Sequence, residues 1–588
     1  MLKIKVSAVL LAAACLSAVC YCESLEENWE LFIHYTAIGR PDLAEGYAQL
    51  ILQSNPDPVE LLGISEKSPE GYGLLLRVRA ESKELQEVAK QLLEKIEEGR
   101  YIRRADPNII IEEIRRLSST VRGRITAVER LKNADEYAIP YMIEAIRDPA
   151  RRAELANIVW ALPQLGKGVI RPLVASLEMD NAAVKVEVVR ALGKIGYPQA
   201  LAYLKYLQEK DASDQVRMQA QSSIEQIDPA ALKRSAAELF FDLAESYYNH
   251  HESLSPAADY DFANIWFLDR QADRIVRRKV DKAYFNELMA MRCCEWALKS
   301  DPDIGRAISL WLAAFFKSES TNMPMPDYFG QGHAPASTYA TTMGPEYLHM
   351  ALQRAVNDKD AYVALGVIRA LSTSAGEKSL MYWLGTEQPL AEALSFPDKA
   401  VRYSAAIAIA IAGPKNEFPE SKLVVSNLAE SLGQDSTSEE DVALKEEYAM
   451  PAAMVMLSLA ESRNSVIDLS LAEETLIKAT KDKRTELCVT ALQILAHMHS
   501  AEAQRAIAAA ALSDKNDTDV QVSAFMSLSI SGKINGNLLE EETIDQIYSL
   551  ISSDSSDSNV RSAAAAAYGT LDLPSRKVRD LILDQARS

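Results

Sequence analysis

Cysteine is scarce in this 588-residue chain: there are six, and three of them, Cys15, Cys20 and Cys22, crowd the start. Only Cys293, Cys294 and Cys488 remain beyond these, too few and too poorly spaced for a disulfide framework or a zinc site. The fold therefore has to stand on packing. The neighbouring Cys293 and Cys294 read as two small buried apolar side chains on a helix rather than as a strained vicinal disulfide. Aromatic residues make up 7% of the chain and Gly and Pro number 23 each, against 48% hydrophobic residues. That mixture, rich in Ala and Leu, builds helices best. Net positive charge is lacking too. A formal charge of −20 repels polyphosphate, which argues against general nucleic-acid binding.

The usual signatures of chemistry are missing as well. No Gly-x-Ser-x-Gly elbow, Cys–His nucleophile context or His-Glu-x-x-His occurs. Of seven histidines, His250 and His251 are adjacent and His497 and His499 two apart, and neither spacing turns two imidazoles from a helix toward one metal. The acids in Glu26-Glu27, Glu439-Glu440 and Glu540-Glu541-Glu542 are consecutive, so they diverge instead of facing each other across a substrate. Gly330-Gln331-Gly332 lacks the third glycine, the preceding strand and the Lys-Ser/Thr of a phosphate loop. The expectation is a non-enzymatic chain with no catalytic residue, no metal and no cofactor.

The start of the chain reads as an export signal. Lys3 and Lys5 precede a short apolar run from Val6 to Val19, and small residues surround Ala18. That run is too short to span a bilayer comfortably, and no later stretch approaches 18 uninterrupted apolar residues. Residues 1–22 are thus expected to be removed, with cleavage between Val19 and Glu23 and a mature chain in the periplasm, at the cell surface or outside the cell. An N-terminal Cys also raises a lipoprotein alternative, although Leu11 lies four rather than three residues before Cys15 and Ser17-Ala18-Val19 is an imperfect approach to Cys20.

What the chain does have is a repeated phrase. Val184-Lys185-x-x-Val188-x-x-Ala191-Leu192-x-x-Ile195-Gly196 returns as Val216-Arg217-x-x-Ala220-x-x-Ser223-Ile224 and as Val401-Arg402-x-x-Ala405-x-x-Ala408-Ile409. It returns again as Val520-Gln521-x-x-Ala524-x-x-Ser527-Leu528 and as Val560-Arg561-x-x-Ala564-x-x-Ala567-Tyr568, with looser copies at Val363 and Leu487. Spacing i, i+4, i+7, i+8 sets these residues on one helix face, and the small residue at i+4 admits a neighbouring helix. One helix cannot bury such a stripe alone, so each copy is followed by a second apolar segment, such as Ala200 to Leu207. Gly196-Tyr197-Pro198 and Gly413-Pro414 supply the break between paired helices. Asp214, Asp398, Asp519 and Asn559 precede copies and read as helix caps. Copies recur at steps of about 30 to 40 residues, a solenoid period.

The pattern of an Asp or Asn, then Val-Arg, Ala, Ala-Leu and Gly resembles the HEAT-like repeats also found in phycobilisome-lyase relatives, over residues 106–232 and 345–588. The resemblance implies an all-α, alpha-alpha superhelix of armadillo-like type and no lyase activity, because only the packing face carries over. Residues 440–480 depart from the signature. Ala44, Ile51-Leu52 and Pro56, echoed by Ala290, Ala297-Leu298 and Pro302, resemble the second helix of a tetratricopeptide repeat, which gives helical segments at 23–105 and 233–321.

Two places stand apart. Residues 322–344 are dense in Pro, Gly and hydroxyl groups and are expected to be an irregular loop, where Tyr328, Phe329, His333 and Tyr339 are candidates to stack on a ligand. Arg274 to Lys279, centred on Arg277 and Arg278, is the one local reversal of sign, either a docking patch for an acidic partner or a solvated helix face. Asn264-Ile265-Trp266-Phe267 has strand character and suggests a small hairpin. The function this supports is an exported scaffold for protein–protein interaction or assembly; the alternative is a small-ligand-binding protein or enzyme with its site at 322–345. Membrane contact is expected only through a lipid-bearing N-terminal Cys. Mass spectrometry of the chain recovered from its exporting cell is expected to show a start between Cys20 and Glu23; an intact Met1 removes the export reading.

Overall fold

Helix follows helix along nearly the whole chain, and the physical reason is visible in the repeated phrase. The computed structural model describes residues 24–256, 260–326, 333–374, 376–433, 439–553 and 557–571, with 579 and 583. The expected export segment at 1–22 lies outside these. The class is all-α, with a single two-stranded sheet among the described residues.

The copies lie on helices Ala182–Ile195, Asp214–Ile227, Lys399–Ala412, Thr518–Asn535 and Ser558–Thr570. In all five, the residues at i, i+4, i+7 and i+8 are buried. Helix Ala182–Ile195 packs against Asp214–Ile227, and Thr518–Asn535 against Ser558–Thr570, so in these pairs one copy covers the next. The intervening helix Leu201–Lys210 closes the pair against Asp214–Ile227. Approach is so close that Ser223 Oγ donates to the Val189 carbonyl across the helix pair at 2.9 Å. Gly196 and Gly413 end their helices in the left-handed region, at φ 72° and 58°, which glycine adopts without a Cβ penalty.

Capping follows one rule that corrects the sequence reading. Asn181, Asp398, Asp517 and Asp557 accept from the Val amide three residues on, at 3.2, 3.2, 3.0 and 3.3 Å. Asp398 is the cap expected, but Asp519 and Asn559 lie inside the first turn, and the true caps stand two residues earlier. Asp214 likewise lies within its helix, behind Ser213, which makes no side-chain cap. A cap has to reach the free amides of the second or third helical residue, so it precedes the Val by three.

The residue after the Val has a task of its own. Arg217, Arg402, Gln521 and Arg561 donate back to the carbonyls of Asp211, Phe396, Ser513 and Ser553, at 2.7, 3.3, 3.0 and 3.2 Å. These carbonyls end the preceding helical segments, where intrahelical partners run out. The Val-Arg pair thus joins a core residue to a clamp on the previous connection.

The chain divides into two compact units, one running to Ala236 and including Pro256–Val280, the other made of Ala237–Ser255 and the chain from Asp281 onward. In the first, helices between Leu25 and Arg104 share a core that includes Trp29, Phe32, Leu61, Leu92 and Ile96. Strands β1 (Phe262–Asp269) and β2 (Arg274–Asp281) pair as a hairpin, as the strand character of 264–267 suggests. The basic cluster centred on Arg277 and Arg278 therefore sits on a strand and not on a helix face. Neighbouring Val, Ile and Trp residues favour the pleated backbone there.

In the second unit, the stretch expected to be an irregular loop at 322–344 contains a helix, Ala336–Thr342. Its buried Ala336 and Ala340 are four residues apart, an apolar spacing that the surrounding Ser and Thr obscure. Residues 440–480, which depart from the repeat, begin with the long helix Glu439–Glu461, which carries Pro451 within it. Cys293, Cys294 and Cys488 are buried thiols that form no disulfide.

His349, on helix Pro345–Asp358, is wholly buried. Its Nε2–H donates to the Ser379 carbonyl at 2.8 Å, its ring stacks on Tyr382, and its Nδ1 is buried without a partner. A proton added at Nδ1 would have no acceptor, and burial accordingly lowers the His349 pKa below its ordinary 6.5, against the opposing pull of the Ser379 carbonyl. Below 6.5 the unfolded chain takes up a proton that the folded chain refuses, so this contribution is complete above that pH and is lost on acidification. Thermal unfolding followed between about pH 7 and pH 5 is expected to show a falling midpoint, with a shallower slope in His349→Gln; equal slopes overturn the assignment. Gly193→Ala tests the packing. The new Cβ would lie 2.6 Å from Ser223 Oγ and 3.0 Å from Ser223 Cα, an overpacking cost of about 1–3 kcal/mol against a helix-propensity gain of at most about 1 kcal/mol. Calorimetry is expected to show a lowered melting temperature, and an unchanged or raised one refutes the close approach.

Candidate functional site

Three consecutive residues organise the most distinctive region of the first unit. Asp135, Glu136 and Tyr137 form a short 3-10 turn after helix Val121–Ala134. Asp135 ends that helix at φ 51°, ψ −126°, a backbone conformation rare for a residue with a side chain. Its carboxylate takes a 2.9 Å bond from Arg104 Nη2, and burial holds its pKa above the usual carboxylate range while Arg104 pulls the other way.

Glu136 is buried and anchors the hairpin. Its Oε1 accepts from Asn264 Nδ2 at 2.7 Å and its Oε2 from Trp266 Nε1 at 2.8 Å, both on β1. Asn264 Nδ2 also lies 2.7 Å from the Tyr137 hydroxyl. Burial and the Glu136 charge push that hydroxyl far above the usual tyrosine range, so it stays protonated. Around Tyr137 gather Tyr101, edge-on at 5.6 Å, with Arg104 and Arg277 over the ring at 5.4 and 4.7 Å. Tyr101 in turn meets Tyr260 and Phe262 edge-on.

Beside this aromatic cluster opens a cleft of about 990 Å³. Arg79, Arg100, Arg103, Arg104 and Arg130 line it, against Glu97 and Glu113. Tyr72 and Tyr260 contribute rings, and Leu76 and Ile109, 39% and 41% exposed, contribute apolar surface. The positive side chains are held in different ways. Arg103 is tied end-on by both oxygens of Glu66, at 2.6 and 2.8 Å. Arg100 spends one nitrogen on Glu97 at 2.7 Å and lies 4.6 Å over Tyr72. Arg130 spends one on Glu113 at 2.6 Å. The arrangement can recognise an anionic group through guanidinium donors and an apolar group through the rim.

The sequence candidates fall in different units. On β2, Arg277 lies over Tyr137, with Nη2 3.5 Å from the Tyr101 hydroxyl. Lys279, two residues on and so on the same strand face, sits 3.9 Å over Phe262. Arg278 faces the other way and is exposed. In the second unit, His333 and Tyr339 are brought together at 5.5 Å and pack on Phe315 at 5.4 and 5.9 Å, with Trp311 5.4 Å from Tyr339. Tyr328 and Phe329 lie outside the described residues. Among the described residues no group of three or more His, Cys, Asp or Glu is placed to hold a metal ion.

The cleft arginines were not among the sequence candidates. The signal was present: residues 100–132 carry nine basic against four acidic side chains in a chain that is acidic as a whole. A charge sum taken over windows, rather than a search for adjacent basic residues, exposes it.

A family model described as HEAT repeats matches residues 139–225. Those residues are similar to HEAT repeats. They begin two residues after Tyr137, so the organising turn stands at the N-terminal edge of the matched segment, whose last helix is Asp214–Ile227. Among solved structures, an engineered protein is 17% identical, with 79% of this chain and 99% of that one covered at a TM-score of 0.29. A multiply substituted Kap121p is 11% identical over 95% of this chain and 69% of that one, at 0.28. SYS-1 is 9% identical over 94% and 100%, at 0.26. No curated protein matches the chain.

The hairpin anchor is testable. Removing the Glu136 carboxylate takes away the acceptor of two buried donors, at a cost of about 1–3 kcal/mol each. Glu136→Ala is expected to raise amide hydrogen exchange across 262–281 and to shift Trp266 emission; unchanged protection there refutes the anchoring role.

Proposed function

We propose that this protein is an exported helical-repeat scaffold that docks a protein partner in the cleft beside the HEAT segment. The observation that carries the reading is the cleft itself, where apolar Leu76 and Ile109 stand beside arginines and tyrosines. Arg and Tyr are the residue types that dominate the energetics of protein interfaces, because each covers apolar area and keeps a polar group to direct it. HEAT repeats give such a surface a rigid backing, since each helix pair is buried by its neighbours and leaves its outer side chains for recognition. Kap121p has been solved bound to the extreme C-terminus of the protein phosphatase Cdc14p; for the present chain a protein partner is a proposal from its own cleft.

Export is part of the proposal and rests on the apolar run behind Lys3 and Lys5. The second reading, a small-ligand site at 322–345, is favoured by one observation: His333, Tyr339, Phe315 and Trp311 gather at ring-stacking distances. An aromatic ligand is the chemistry such rings would take.

A photo-crosslinking residue placed at Leu76 or Ile109 of the full chain, irradiated in the exporting cell, tests the docking reading. A discrete protein adduct is expected from these positions and not from Met218, which is exposed on another helix of the same unit. Adducts equal at all three positions, or none at the cleft, overturn it.

A further inference from the structure

We infer that the cleft of the first unit receives an extended acidic segment of its partner, with carboxylates met by Arg79, Arg100 and Arg130 and a main-chain N–H met by Glu113. The inference rests on the docking reading above and names the class of partner.

Charge sets the preference. Five arginines face two glutamates on the walls, within a chain whose formal charge is −20. Not all five are free to bind. Arg103 already holds both oxygens of Glu66, and Arg104 is committed to Asp135 and to the Ala134 carbonyl. Arg79, in contrast, is exposed and makes no ion pair or hydrogen bond to any described residue, so its whole guanidinium fork is available to a carboxylate. Arg100 and Arg130 each engage their glutamate through a single nitrogen and keep most of their donors.

Glu113 supplies the second observation. It is 3% exposed, and while its Oε1 takes Arg116 and Arg130 at 3.1 and 2.6 Å, its Oε2 is buried with no hydrogen-bond partner. A buried acceptor without a donor is costly. The internal units of a polyphosphate chain bring no donor and are repelled by this carboxylate. A polypeptide brings both kinds of group: side-chain carboxylates for the arginines and main-chain amides for Glu113. Leu76 and Ile109 then favour a segment that alternates acidic with apolar residues, since neighbouring side chains of an extended chain point to opposite sides.

The test uses the full chain and a fluorescein-labelled peptide of about ten residues, roughly 33–36 Å when extended, alternating Glu and Leu. Its counterpart has Lys in place of Glu, and inorganic polyphosphate is the competitor. Fluorescence anisotropy is expected to show saturable binding of the Glu peptide that weakens with salt, no binding of the Lys peptide, and little displacement by polyphosphate. Arg79→Glu, at an exposed and unpaired position, is expected to weaken the Glu peptide about tenfold with circular dichroism and melting temperature unchanged. Equal binding of both peptides, no effect of Arg79→Glu, or full displacement by polyphosphate each overturns the inference. If crosslinking from Leu76 still captures a protein that the Glu peptide does not displace, docking stands and the acidic-segment inference falls. If the Glu peptide binds as described but the cleft yields no protein adduct, the docking reading fails on its own.

Discussion

No helix in the repeats of this protein can bury its own apolar stripe, and each therefore depends on a neighbour close enough to cover it. Small residues make that closeness possible. Ser223 and Gly193 meet where a single added carbon would collide, and the hydroxyl of Ser223 bonds the main chain of the facing helix. Ala191, Ala408, Ser527 and Ala567 occupy the place of Ser223 in their copies. The same closeness explains the clamp made by Arg217, Arg402, Gln521 and Arg561. Once helices are stacked at this distance, the connections between them have to be tied down at their exposed carbonyls.

The basic cleft is assembled differently. Its side chains come from helices Pro69–Glu81, Gln86–Arg104, Pro107–Arg116 and Val121–Ala134, and from Tyr260 at the foot of the hairpin. What joins them is the turn Asp135-Glu136-Tyr137, in which each residue serves a different element: a guanidinium on one side, two hairpin donors on another, and a ring between two cations. Such a turn is costly to form, because Asp135 has an uncommon φ and Glu136 is a carboxylate out of water. Its bonds offset that cost only when hairpin and helices are both in place, which makes it a point where the local backbone and the distant sequence have to agree.

Electrostatics inside the cleft separates the arginines into holders and receivers. A guanidinium matched end-on by a carboxylate, as Arg103 is, has its charge already compensated and one fork occupied, whereas one that is exposed and makes no bond to a described residue keeps its full donor set. In a chain that is acidic as a whole, a basic recess is a favoured position for an acidic segment.

Helix periodicity is a property of neighbouring residues, and so the all-α class, the repeated stripe, the breaks at Gly196 and Gly413 and the strand at 264–267 were legible from residue order alone. The caps were half legible: Asp398 was correctly placed, while Asp517 and Asp557 were passed over for Asp519 and Asn559, because residue type was read without the three-residue reach a cap requires. The helix Ala336–Thr342 was hidden by hydroxyl residues around a two-alanine spacing. The candidate site was partly legible: a charge sum shows the basic excess over 100–132 that holds Arg100 and Arg130, but nothing in residue order places Arg79 and Tyr260 beside them. Only the tertiary structure, by returning the chain after residue 255 to lay a hairpin on Glu136, decided which charged and aromatic side chains share one cleft. Contacts at such separation depend on packing between elements, which no periodicity within one element encodes.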